Sequence, residues 1–283
     1  MSSEHRRISR GKNKKHRHIF LILLLILFAL FLLYREFGEN EFYSQENLSP
    51  ETSQKDLSKG WEDLLPKVAI VIDDLGPSRQ KALEVFHINV PFTLSVLPHE
   101  SSSRWIAQEG YSLGFEVIGH IPMEAKKPMK LGKGGLYLQM TDDEIIETLS
   151  GAINALPNIQ GISNHMGSAL TEDRQAMQSV LSVLHEYKLF FLDSLTSAGS
   201  VGYELARSRN VRAMKRDVFL DYKDDAVYIG EQWEKLVRTA EEKGYAIGIA
   251  HPRKNTLEFF KKTLPSDRVT VVPLSELLET VNF

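Results

Sequence analysis

Five pairs of residues in this chain share one setting: Asp73-Asp74, Gly119-His120, Asn164-His165, Asp193-Ser194 and His251-Pro252 each follow an apolar run rich in β-branched residues. Carboxylates and imidazoles are the oxygen and nitrogen donors that zinc takes. They are also the side chains that most readily move protons near neutral pH. Singly, each has an ordinary structural role. An Asp after a strand caps a turn or a helix, and Asp73-Asp74 could cap a helix beginning near Ser78. A single His beside a strand is most often a satisfied structural group. Jointly they say more, because capping does not account for imidazoles at three further strand ends. The reading that fits the set is a metal centre. Of the nine histidines (5, 16, 18, 87, 99, 120, 165, 185 and 251) four lie at this rim. His87 and His185 read as structural residues of helices, and His99, after Pro98, as part of a loop.

The elements that must present these residues are visible in the hydrophobic pattern. Lys67–Ile72 is a continuous apolar run and reads as a buried, parallel strand. Further strands are predicted at 92–97, 115–119, 159–164, 189–192, 211–214, 246–250 and 269–272. Thr141 and Glu144 form a capping box, which opens a helix with Ile145, Ile146, Leu149, Ile153 and Leu156 on one side. Helical spacing recurs over 173–187, 232–243 and 256–264. Strands alternating with helices mean a parallel sheet with helical crossovers, either open or closed as a barrel. In both cases function belongs at the carboxyl ends of the strands, where the polar pairs fall. Arg216 and Asp217, at the end of the sixth predicted strand, either pair with the site or form a surface ion pair.

Composition narrows the function classes. The chain has 283 residues, 42% apolar and 25% charged, which are globular proportions. It contains no cysteine, so disulfide scaffolds, thiolate zinc sites and cysteine nucleophiles are excluded. Residues 1–17 hold seven basic side chains and one acid, a surplus of +6, and the remaining 27 basic and 36 acidic residues give −9. The bulk of the chain therefore lacks the basic excess that nucleic acid would require. Ile19–Tyr34 runs for sixteen residues without a charge. As a helix it would span roughly 24 Å, and His18 and Arg35 can snorkel toward the interfaces of a bilayer core about 30 Å thick. Small residues of a cleavage site do not follow it, so residues 18–37 read as an uncleaved transmembrane signal anchor, with a cleaved signal peptide as the alternative. The basic head, 1–17, stays in the cytoplasm and the C-terminal part lies outside. Residues 38–66, rich in Glu, Ser, Asn and Gln, read as a flexible stalk, and 67–283 as the folded domain.

The motifs VIDDLG (71–76), GHIPME (119–124), SNHMGS (163–168), FLDS (191–194) and IAHP (249–252) resemble the polysaccharide deacetylases of carbohydrate esterase family 4, and most closely their divergent branch. The resemblance covers Lys67 to Leu278. It implies a distorted (β/α)7-type barrel of parallel strands and a metal-dependent deacetylase, a hydrolase of C–N or ester bonds. It implies an acetylated glycan or peptidoglycan-like substrate in the cell envelope and a divalent metal, most simply Zn2+. By residue, Asp73 would be the catalytic base, Asp74 and His120 metal ligands, and His251 the general acid. Position 124 holds Glu where the family's second metal histidine stands, so the third ligand is Glu124 or His165, with His165 favoured because zinc commonly combines imidazoles with a carboxylate. Glu124 would then serve beside the ligands or bind substrate, as would Asn164, Ser194, Arg216 and Asp217. Asp193 would hold His251 in its productive tautomer. The family's Arg and Trp have no counterparts in the third and fourth motifs, which keeps open a second reading: a catalytically weak or inactive glycan-binding or scaffolding module of the envelope.

Overall fold

The computed structural model describes residues 65–280. The predicted basic head, the anchor and nearly all of the stalk lie outside the described residues. Among the described residues no helix is long and apolar enough to cross a membrane.

Nine parallel strands form one curled sheet: β1 (Lys67–Leu75), β2 (Thr93–Val96), β3 (Glu116–Met123), β4 (Gly161–Met166), β5 (Phe190–Asp193), β6 (Ala213–Lys215), β7 (Val218–Phe219), β8 (Tyr245–Ala250) and β9 (Thr270–Val271). Their order is β6-β5-β4-β3-β2-β1-β8-β7, with β9 also paired to β1. The segment 213–219 links the two ends of this order. Arg216 N–H donates to the carbonyl of Asp193 after β6 has paired with β5, and Asp217 N–H then donates to Ile247 of β8. Among the described residues eight α-helices accompany the strands: α1 (Arg79–Phe86), α2 (Ser103–Ser112), α3 (Asp142–Ala155), α4 (Arg174–Tyr187), α5 (Gly202–Ser208), α6 (Ala226–Lys243), α7 (Lys254–Thr263) and α8 (Leu274–Thr280). The predicted capping box is present: Thr141 Oγ1 accepts from Glu144 N, and Glu144 reaches back to Thr141 N.

Side chains alternate across a strand, and here the alternation sorts the core into two faces. On β1, Val68, Ile70 and Ile72 pack outward with the helix residues Val85, Leu236 and Phe260. Ala69 and Val71 face inward with Ile118, Phe190, Leu192, Met214, Ile247 and Ile249, and Leu274, Leu277 and Leu278 of α8 join this inner cluster. Each inward row, followed toward the carboxyl end of its strand, becomes polar: 69 and 71 lead to Asp73, 118 to His120, 247 and 249 to His251.

Three strands run further than their apolar patterns predict. β1 continues to Leu75, β3 to Met123 and β4 to Met166, because inward polar residues at their ends still pair through the backbone. Asp73-Asp74 therefore lie within β1 and do not cap a helix. Ser78 caps α1 instead, its side chain accepting from Lys81 N. Helix α6 begins six residues before the predicted start, at an Asp225 cap.

Candidate metal and hydrolytic site

Neighbouring residues on a regular strand point to opposite faces, so Asp73 and Asp74 should not share a site. A bulge makes it possible. Between Ile72 and Leu75 the register of β1 against β2 shifts, three steps on β1 against two on β2. Asp74 sits there with φ of 59°, in the left-handed region. An extra residue in this conformation turns the strand and re-aims its side chain. As a result both carboxylates meet one imidazole: Asp73 Oδ1 lies 3.5 Å from His120 Nδ1, and Asp74 Oδ1 lies 3.3 Å from His120 Nε2.

His165, on the inward row of β4 two residues beyond Ser163, completes the group. Its Nδ1 is 3.0 Å from Asp74 Oδ1 and 3.2 Å from His120 Nε2. The resulting triangle has sides of 3.0, 3.2 and 3.3 Å. Ligands about 2.0–2.1 Å from a tetrahedral zinc stand roughly 3.3–3.4 Å apart, so the donor atoms are spaced as such an ion requires. Asp74 Oδ1 is buried and has no hydrogen-bond partner. A buried, unsatisfied carboxylate oxygen is costly unless something charged faces it. One carboxylate with two imidazoles is also a donor set that suits zinc, so the residues fit a divalent cation.

The remaining valences of this cluster are well supported. His120 Nδ1 meets Ser163 Oγ at 2.7 Å, and Ser163 Oγ meets Ser95 Oγ at 2.9 Å. Both serines are fully buried on inward rows. Such a partner fixes the ring and the tautomer of a ligating His. Burial pushes the Asp73 carboxyl above the usual range, an effect that His120, Ser95 and His251 only partly offset. Burial also acts to raise Asp74, but His120 and His165 against it more than compensate and hold it well below the ordinary carboxylate range.

His251 ends the inward row of β8. Its Nε2 faces Asp74 Oδ2 at 3.5 Å, and its Nδ1 bonds Asp221 Oδ1 at 2.9 Å. Asp221 is fully buried, and its Oδ2 accepts from His251 N and from Thr256 Oγ1. Burial lowers the proton affinity of His251, but Asp221, Asp73 and Asp74 raise it further, and the net shift is upward.

Asp193, expected behind His251, is elsewhere. On β5 Phe190 and Leu192 face inward, so Phe191 and Asp193 face outward. Asp193 Oδ1 accepts from Leu195 N, and Oδ2 from Ser200 Oγ and Tyr203 N, which fastens the start of α5. The partner of His251 is Asp221 instead, which the sequence reading missed. The strand before it, Val218–Phe219, is only two residues long, too short for a periodicity signal. Alternation does reach it: Phe219 packs against the inner cluster, and Asp221 lies two residues on.

The other expected residues divide in the same way. Glu124 Oε2 accepts from Leu138 N at 2.7 Å and pins the 124–138 loop, so the structure gathers His165 and not Glu124 beside Asp74 and His120. Asn164, on the outward row, receives Ser194 N and donates to Met166 O, joining the loops after β4 and β5. Arg216 follows the inward row of β6. It donates to the carbonyls of Ser194 and Leu195, lies 5.2 Å over the Phe219 ring, and is half-buried within electrostatic reach of Asp193 and Asp73. Asp217 faces outward, where it pairs with Lys243 Nζ at 2.7 Å and accepts from Ile247 N. It is the surface ion pair of the two alternatives, although its partner is Lys243.

A model of the divergent polysaccharide deacetylase family matches residues 70–278. The chain belongs to this family. An uncharacterised protein of Haemophilus influenzae is 34% identical to it over 204 residues, 71% of this chain and 73% of that one. The uncharacterised protein YibQ of Escherichia coli is 34% identical over 218 residues, 76% and 68% of the respective chains. Among solved structures, an uncharacterised protein from Agrobacterium tumefaciens matches with a TM-score of 0.71 at 24% identity, covering 75% of this chain and 89% of that one. At that identity the match shows a shared fold. All the residues gathered above, from Asp73 to His251, lie within the span of the divergent polysaccharide deacetylase model.

Proposed function

We propose that this chain is a metal-dependent hydrolase that removes an N- or O-acetyl group from a glycan of the cell envelope, acting outside the cytoplasmic membrane to which residues 18–37 anchor it. The observation that carries this reading is the meeting of Asp74, His120 and His165 within 4.8 Å, with the buried acid Asp73 on one side and the Asp221-backed imidazole of His251 on the other. A zinc or similar divalent ion held by those three residues would polarise an acyl carbonyl and make a neighbouring water more acidic.

The protein's own groups supply the proton transfers. Asp73, whose proton affinity is raised by burial, accepts the proton of the attacking water. Arg216 lies within electrostatic reach of it and favours its charged form before the transfer. His251 is fixed by Asp221 at Nδ1, so its Nε2 is the atom turned to the site, and it donates a proton to the departing amine or alkoxide. Ser163 and Ser95 hold the His120 ring from behind. Tyr222, 75% exposed, stands edge-on to Phe219, whose ring lies 5.3 Å from that of His251. An exposed aromatic face beside the site offers a surface for the apolar face of a sugar ring.

The test is acetate release from acetylated chito-oligosaccharides and peptidoglycan fragments in the presence of zinc. Release well above that of an Asp73→Ala control is expected. No excess over that control, across several substrates and divalent metals, overturns the proposal. Metal binding without release would favour the glycan-binding module instead.

A further inference from the structure

A pocket of about 270 Å³ opens beside the site and shares its wall, because Asp74 and His251 both line it. The lining also carries two cations, Lys81 and Arg253. Each is tied to a backbone carbonyl: Lys81 Nζ donates to Pro252 O at 3.2 Å, and Arg253 Nη1 donates to Asp221 O. Neither forms an ion pair with a carboxylate among the described residues. Their positive charge is therefore positioned but not neutralised, and most of their N–H donors remain for something else. Ser78 and Arg253, the cap residues of α1 and α7, also line the pocket, so the positive ends of both helices add to the same field. Two neighbouring carboxylates are engaged by other groups: Asp74 Oδ1 faces His120 and His165 and its Oδ2 faces His251, while Asp221 holds His251 and Thr256.

A neutral acetylated sugar offers these donors only uncharged acceptors and leaves their charge unmet. We infer that the substrate carries an anionic group, a carboxylate or a phosphate, close to the acyl group that is removed, and that Lys81 and Arg253 receive it. This rests on the hydrolase reading for the acyl group, while the anion preference rests on the pocket alone. Arg253 offers a planar fork matched to two oxygens, and Lys81 a point charge. Arg253 also holds the carbonyl of Asp221, so an anion seated there bears on the residue that backs His251.

The experiment uses the full-length chain in detergent, stripped of metal by a chelator so that the anion is not drawn to a cation at Asp74. Binding of three sugars is measured by titration calorimetry at low salt: N-acetylglucosamine, N-acetylmuramic acid with its carboxylate, and N-acetylglucosamine 1-phosphate. At least one anionic sugar is expected to bind roughly tenfold tighter than the neutral one, with a preference that shrinks as salt is added. The two anionic arms tell carboxylate from phosphate. In a Lys81→Gln/Arg253→Gln variant the preference should fall to about one. Lys81→Gln alone, at an exposed helix position, should lower it roughly threefold even if the double variant folds poorly. Equal binding of all three sugars, no binding of either anionic sugar, or a preference unchanged in Lys81→Gln overturns the inference. Anion preference without acetate release would sink the hydrolase reading and leave this one standing; acetate release without preference would do the reverse.

Discussion

The inward row of β3 carries a carboxylate, Glu116, at its amino end and an imidazole, His120, at its carboxyl end, and Glu116 is served in the opposite way to Asp73 and Asp74, the two acids that meet that imidazole. At the amino end Glu116 is buried and fully served: Thr93 Oγ1 donates at 2.9 Å, and Ser275 N lies 3.1 and 3.3 Å from its two oxygens. Thr93 also accepts Leu274 N, so the pair seats α8 across the floor of the curled sheet. At the carboxyl end Asp73 and Asp74 each keep a buried oxygen without a hydrogen-bond partner, and Asp74 adopts a left-handed backbone. Satisfied polar groups contribute to stability, whereas unsatisfied and strained ones persist where a ligand or a reaction needs them. The floor is built to hold together and the rim to bind.

Substitutions can break that contrast. The largest effect is expected at the rim. Asp74→Ala should cut acetate release on the order of a thousandfold and abolish zinc uptake, with the melting temperature moved by only a few degrees, because the like-charge contact with Asp73 and the attraction of His120 and His165 are lost together. Chelation of the wild-type protein should give the same loss, and zinc should restore it. Comparable activity in Asp74→Ala and wild type would remove the rim from the chemistry. A smaller effect belongs to Asp221→Asn. His251 keeps its Nδ1 partner but loses the charge that raises its proton affinity. The general acid should therefore deprotonate at lower pH, moving the alkaline limb of the pH–rate profile toward acid, with a roughly 10- to 100-fold loss at the optimum. An unmoved alkaline limb would rule out His251 as the proton donor. The smallest effect on activity is expected at the floor. Glu116→Gln should cost about 1–3 kcal/mol of stability, read as a melting temperature lower by several degrees, with acetate release per folded molecule nearly unchanged. A large loss of activity at constant stability would mean that the two ends of β3 are not independent.

Much of this arrangement is legible before any coordinates. The apolar run over 67–72, the capping box at Thr141 and the polar pairs after strands are local signals, and period-two alternation links them. Counting by two from Val71, Ile118 and Ile249 reaches Asp73, His120 and His251. The same count from Leu192 passes over Asp193 and places it on the outer face, where it is found. It also selects Arg216 over Asp217 for the inner face. Asp221 escapes because its strand is two residues long, and Glu124, the alternative to the favoured His165, has its side chain spent on Leu138.

The residue types at the strand ends and the face each strand shows to the interior are thus properties of the sequence itself, since alternation is set by the geometry of a single extended chain. The tertiary structure alone decided which of those residues meet. The bulge that turns Asp74 toward His120, the pairing of Asp221 with His251 across β7 and β8, and the placing of Lys81 and Arg253 in the lining of one pocket depend on register and curl between strands distant in sequence. No local pattern encodes those contacts, because they are fixed only when the whole sheet has curled around its core.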